Sequence, residues 1–135
     1  MSKIDRVSLV FVSHSYHIVK GLQALMTEMQ PDVKIAIAGG EPGGGIGTNA
    51  LDIKKAIESV YTEKGVVILF DLGSALMNSE MAIELLDDAS NVCIADAPIL
   101  EGGYAAVVEA GFGSEVEEVK EAAQMVRGIP KIPTS

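Results

Sequence analysis

Four short runs of apolar, mostly β-branched residues recur along the chain, and a segment with helical periodicity follows each one. The runs occupy residues 7–12, 33–38, 66–70 and 91–95. Runs without polar alternation read as strands covered on both faces, and strands alternating with helices assemble into a parallel sheet between helical layers. The expected fold class is therefore α/β, a three-layer, mainly parallel open sheet with helices on both faces. Right-handed crossovers leave few topologies for four parallel strands, and order 2-1-3-4 is the expected one. Strands one and three then lie side by side with the switch point between them. Open sheets of this kind bind ligands at that crevice, beyond the carboxyl ends of the strands.

The helical segments are assigned by apolar spacing and end signals. Helix one covers 16–29, with Ile18, Leu22, Leu25, Met26 and Met29 on one face. Helix two is capped by Thr48 or Asn49, runs to about 62 and carries Leu51, Ile53, Ala56, Ile57 and Val60. Helix three starts near Ser74 and reaches about Leu86. A fourth begins near Glu101 with Tyr104, Val107 and Val108, and Ser114 caps a last helix over 115–126. With 135 residues, 48% of them hydrophobic, the chain suits one core. Residues 1–127 are read as one domain and 128–135 as a flexible tail.

A formal net charge of −9 disfavours nucleic acid and anionic membranes, which need basic patches. The one cysteine, Cys93, lies in an apolar run and reads as a buried small hydrophobe; it allows no intrachain disulfide. There is no secretory signal pattern, and no apolar run approaches the ~20 residues that span a bilayer. A soluble, cytoplasmic protein is expected.

The chemistry gathers at two strand ends. The first run stops at Ser13-His14-Ser15 and the third at Asp71. Imidazole titrates near neutral pH and is a nucleophile toward phosphorus. A carboxylate that holds one ring N–H fixes the tautomer and frees the other nitrogen, the role Asp71 is placed to take toward His14. N–H groups at the start of helix one are placed to receive phosphoryl oxygens, and hydroxyls of Ser13, Ser15 and Ser74 add donors. Plainer readings stand beside these: Asp71 as a cap for helix three, the serines as ordinary caps, His14 as a structural histidine.

Residues 39–48 are glycine-rich. No lysine precedes Thr48, so this is no P-loop. The dinucleotide fingerprint belongs after strand one, where Ser-His-Ser stands instead. The loop is read as bare backbone that lets a phosphate or another protein approach His14, or as a plain surface loop. His17 makes a His-x-x-His pair, too few ligands for a metal. No metal and no cofactor is expected.

The segments Val12-Ser13-His14-Ser15, Ile37-Ala38-Gly39-Gly40, Gly45-Ile46-Gly47-Thr48, Asp71-Leu72-Gly73-Ser74-Ala75-Leu76-Met77-Asn78-Ser79-Glu80 and Ala97-Pro98-Ile99-Leu100-Glu101-Gly102 resemble the phosphotransferase subunit of phosphoenolpyruvate-dependent dihydroxyacetone kinase, a relative of the mannose-type enzyme IIA domains. The broader mannose-type group has Gly after the His and a Gly-Gly-Ser-Pro run after the Asp; Leu-Gly-Ser-Ala here fits the dihydroxyacetone branch.

The resemblance implies that His14 accepts a phosphoryl group from the phosphocarrier HPr and passes it to ADP on the kinase's nucleotide-binding subunit. It also implies a homodimer and, with the sequence stopping at Ser135, a donor on a separate protein. Gly39, Gly45, Gly47, Thr48, Gly73, Ser74 and Met77 join Ser13 and Ser15 as candidate phosphate- or partner-contacting residues around the catalytic pair His14 and Asp71. Alternatives are a mannose-type IIA domain serving a sugar permease and a regulatory phosphohistidine module. Which ring nitrogen carries phosphate stays open.

Overall fold

A computed structural model describes residues 5–41 and 44–133. Expectations for residues 1–4 of the domain, for Pro42 and Gly43 of the glycine loop, and for Thr134 and Ser135 of the tail lie outside the described residues. The elements alternate as expected: β1 Ser8–Ser13, α1 Tyr16–Met29, β2 Ile35–Gly39, α2 Ala50–Val60, β3 Val66–Phe70, α3 Gly73–Glu84, β4 Val92–Ile94, α4 Ile99–Gly111 and α5 Val116–Met125. The strands form one parallel sheet in the order β2-β1-β3-β4.

The fully buried strand β1 supplies two cores through its period-2 alternation. Leu9 and Phe11 point to a layer formed by α1, α4 and α5, where they meet Val19, Leu22, Met26, Val107 and Val119. Val10 and Val12 point to the other layer, against Ile53 and Ile57 of α2 and Ala75 and Ala82 of α3. A strand covered on both faces leaves no room for an imidazole or a charged side chain until the sheet ends, so His14 emerges at the rim.

Several local expectations are corrected. The buried stripe of α1 is Val19, Leu22 and Met26, while Ile18, Leu25 and Met29 are exposed. Helical spacing defines the centre of a stripe, not its width, and among the described residues no other element covers the flank on which these three lie. Leu51, in the first turn of α2, is exposed, as are Tyr104 and Val108 on the outer side of α4. Asn49, not Thr48, caps α2, accepting from the N–H groups of Leu51 and Asp52. Helix α4 begins at Ile99, before Glu101. Ser114 does not cap α5: Glu115 does, in a reciprocal capping box with Glu118, while the Ser114 hydroxyl donates to Glu109. Near the C-terminus Arg127 pairs with Asp96 at 2.5 Å and Lys131 with Glu101 at 2.6 Å. Cys93 is half-buried, and burial pushes its thiol up to about 11.

Helix α4 sits close on the sheet because Gly103 has no side chain. A Cβ there would lie 2.5 Å from the Phe11 ring. Gly21, by contrast, is exposed on α1 with nothing near its missing Cβ. Gly103→Ala should therefore lower stability by about 1–3 kcal/mol, the scale of overpacking a core. Gly21→Ala should raise it by about 0.4–1 kcal/mol, through lost freedom of the unfolded chain. Urea unfolding of both variants in one buffer checks the opposite signs.

Candidate active site

The parallel ladder between β1 and β3 runs one step past Phe70. The Asp71 N–H donates to the Val12 carbonyl at 3.1 Å, which sets Asp71 beside Ser13 and His14 at the switch point. Four donors converge on its two carboxylate oxygens. Oδ1 accepts from His14 Nδ1–H at 2.9 Å and from the Leu72 N–H at 2.7 Å. Oδ2 accepts from the Ser13 hydroxyl at 2.8 Å and from the His14 N–H at 3.0 Å. Asp71 thus holds His14 by backbone and ring together. Burial pushes the Asp71 carboxyl up, yet the bonds from His14, Ser13 and Leu72 outweigh it and hold it below the usual carboxylate range.

A carboxylate only accepts, so His14 carries its proton on Nδ1 and presents a lone pair at Nε2. That nitrogen accepts from the Ser74 hydroxyl at 2.5 Å. The two side chains are 20% and 14% exposed for His14 and Asp71, so the inner edge of the ring is shielded and the outer edge reaches the surface. Ser74 stands in the first turn of α3, whose N-cap residue Leu72 makes no side-chain cap. The N–H groups of Gly73 and Ser74 find no partner among the described residues. The unprotonated nitrogen therefore faces the start of α3, an end of a helix suited to receive an anion. The expectation had given that part to α1, because only α1 is adjacent in sequence. The plain reading of Asp71 as a cap for helix three also fails: its carboxylate is spent on His14, Ser13 and the N–H of Leu72.

The remaining candidates divide by position. Ser13 is fully buried; its hydroxyl braces Asp71 and accepts from the Ser15 N–H at 3.1 Å, so it faces inward where an outward donor was expected. Ser15 is the N-cap residue of α1 but makes no side-chain cap, which leaves its hydroxyl available. Gly39 permits close approach, since a Cβ there would lie 2.7 Å from the Ser13 carbonyl. Gly47 donates its N–H to the His14 carbonyl at 2.8 Å and docks the glycine loop onto the turn. Gly45 is exposed and, with Ser15, His17, Glu41 and Ile46, borders a groove of about 290 Å³ beside that turn. Met77, like Leu72 and Ile46, is an exposed apolar residue. Gly73 lies in open space, and His17 is exposed in the first turn of α1. Thr48 is held by Asn78, which sequence reading missed: its amide donates to the Thr48 hydroxyl at 2.6 Å. Among the described residues no cluster of three or more His, Cys, Asp or Glu side chains is arranged to hold a metal ion.

A parallel β2-β1-β3-β4 sheet with a His–Asp pair at its switch point is the arrangement expected of the mannose-type enzyme IIA domains that the sequence resembles. Comparison with known proteins agrees. A family model described as "PTS system fructose IIA component" matches residues 8–120. The chain is 42% identical over 106 residues to the phosphoryl donor subunit DhaM of phosphoenolpyruvate-dependent dihydroxyacetone kinase 2 of Listeria innocua, covering 76% of this chain and 85% of that one. It is 41% identical over 119 residues to the corresponding subunit of Escherichia coli, covering 84% of this chain but only 25% of that longer protein. A crystal structure of a protein of unknown function superposes with a TM-score of 0.79 at 27% identity, over 89% of this chain and 94% of the other. The mannose/sorbose-specific IIA subunit of Enterococcus faecalis shares the fold, with a TM-score of 0.59 at 16% identity over 97% and 98% of the two chains. The chain belongs to the EIIA-man family and, within it, to the DhaM-like phosphoryl donor subunits.

The lowered Asp71 pKa has a sign that can be tested. A carboxylate depressed on folding stabilises fully above its unfolded pKa of about 3.9 and loses that contribution as pH falls toward its lower folded value. The wild type should exceed Asp71→Asn in stability from neutral pH down to about pH 4–5, and the gap should narrow below that. Urea midpoints taken stepwise from pH 7 to pH 3 check it; a gap independent of pH would assign the difference to packing.

Proposed function

We propose that this chain is a phosphoryl carrier in which His14 Nε2 takes a phosphoryl group from an HPr-type phosphohistidine protein and passes it to ADP bound on a dihydroxyacetone kinase subunit. The observation that carries the proposal is the His14 Nδ1–Asp71 Oδ1 bond at 2.9 Å, which leaves Nε2 unprotonated on the open side of the ring, its lone pair met only by the exchangeable Ser74 hydroxyl among the described residues. In the loading step the Nε2 pair attacks phosphorus, the donor's P–N bond breaks and its electron pair returns to the donor imidazole. The His14 ring becomes a cation whose charge faces the Asp71 carboxylate, and its Nδ1 proton stays in place. In the unloading step an oxygen of the ADP β-phosphate attacks, and the P–Nε2 pair returns to the ring. The Ser74 hydroxyl turns from Nε2 to a phosphoryl oxygen, joined by the free N–H groups of Gly73 and Ser74.

The partners are suggested by the relatives, named as phosphoryl donor subunits of dihydroxyacetone kinase. A homodimer has its own support: α1 and α4 pack side by side, and Ile18, Leu25 and Met29 on one and Leu100, Tyr104 and Val108 on the other leave an exposed apolar face. No helix among the described residues is long and apolar enough to cross a membrane, in keeping with a cytoplasmic carrier. The family description, a fructose IIA component, keeps a sugar permease as the second acceptor to test.

With phosphoenolpyruvate, enzyme I and HPr, the wild type should gain one acid-labile phosphate and His14→Ala none, while His17→Ala should label as the wild type does. Phosphate that stays on the carrier when the ADP-loaded kinase subunit is added, but moves to a sugar permease, would favour the second reading. Asp71→Ala should keep the fold and slow loading by ~10²–10⁴-fold, the range of a positioned proton-holding partner. Stopped-flow loading kinetics measure this. Tyr104→Glu should shift the protein from dimer to monomer in sedimentation without loss of helical signal.

A further inference from the structure

Asn78 lies one turn beyond Ser74 on α3, so both project from the same side of that helix. Ser74 reaches His14 Nε2. Asn78 donates from Nδ2 to the Thr48 hydroxyl oxygen at 2.6 Å and, more weakly, to the Thr48 carbonyl at 3.4 Å. A carbonyl only accepts, so the amide nitrogen is the atom facing Thr48. Thr48 directly follows Gly47, whose N–H holds the His14 carbonyl and whose own carbonyl accepts from the Gly40 N–H at 3.0 Å. The glycine loop is therefore pinned at its exit by one side chain of α3 and rests on the backbone of the reactive residue.

We infer that Asn78 is a positioning residue that holds the exit of the glycine loop, through Thr48, in the register a protein phosphoryl donor meets at His14. The inference rests on the carrier reading above. The imidazole itself is aimed by the side chains of Asp71 and Ser74, and among the described residues neither side chain bonds to that of Asn78. The loop carries the exposed Ile46 and Gly45 at the edge of the groove beside Ser15, where a macromolecular partner must come close. Asn78 thus governs how the donor docks, and leaves the chemistry of Nε2 alone.

Loading of Asn78→Ala is compared with two donors: phosphoramidate, a small molecule that needs only the imidazole, and phosphorylated HPr. The phosphoramidate rate should stay within about twofold. The KM for phosphorylated HPr should rise about tenfold, the scale of one lost side-chain hydrogen bond, with kcat little changed. Thr48→Val removes the same acceptor and should reproduce the effect, and the double variant should be no worse than either single, as for two halves of one interaction. Amide exchange gives a readout independent of any donor: the Gly47 N–H should exchange about tenfold faster in Asn78→Ala while the His14 N–H, held by Asp71, keeps its rate. Equal losses with both donors, a fall in kcat alone, or Gly47 exchange at the wild-type rate would each overturn the inference. Phosphoramidate loading of the wild type without HPr loading would instead overturn the donor assigned above, and Gly47 exchange would still decide the role of Asn78.

Discussion

The site depends on one carboxylate placed where two parallel strands run out together. Asp71 is the first residue beyond β3 and accepts four hydrogen bonds from Ser13, His14 and Leu72. A charged group in so sheltered a position needs many donors to replace its water, and it obtains them only because β1 and β3 are adjacent and in register from Ser8–Val66 to Val12–Phe70. In an order that separated these strands, Asp71 would lose three of its four donors, and the imidazole would lose its fixed tautomer. The sheet order, the paired register and the reactive nitrogen are thus parts of one arrangement.

Its inner and outer halves differ in firmness. Inward, Ser13 is buried and spends its hydroxyl on Asp71, so the base of the histidine is braced by the sheet. Outward, the ring accepts from the Ser74 hydroxyl beside the uncapped start of α3, and the glycine loop is tied to the His14 carbonyl through Gly47 and to Asn78 through Thr48. On the proposed reading, a carrier that serves two partners in turn benefits from this division. The geometry of the nitrogen is fixed by the fold.

Much of this was legible in the residues. Near-continuous apolar runs alternating with helical periods imply the parallel sheet, and crossover handedness brings His14 and Asp71 together although 57 positions separate them. The exposed flanks were less legible. Ile18, Leu25 and Met29 obey the same periodicity as the buried stripe of α1, and only the positions of β2 and α4 decide which are covered. The α5 cap was misread because Ser114 is the better cap by residue type, yet Glu115 and Glu118 satisfy two donors at once. Asn78 left no local signature, since its partner Thr48 lies 30 positions away and amides on helix surfaces are common. The side of the ring that faces outward was also hidden, because it follows from a hydrogen bond and not from a spacing.

The pinned ring has a stereochemical consequence. With Nδ1 tied to Asp71, phosphorus bonds, on the proposed reading, at Nε2 along the line that runs toward the start of α3. On the proposed reading, donor and acceptor must both use that line, so each transfer is an in-line displacement that inverts phosphorus. Two inversions restore the starting configuration. A phosphoryl group made chiral with oxygen isotopes would leave this domain with the handedness it had on arrival, and a direct transfer that bypassed His14 would leave it reversed.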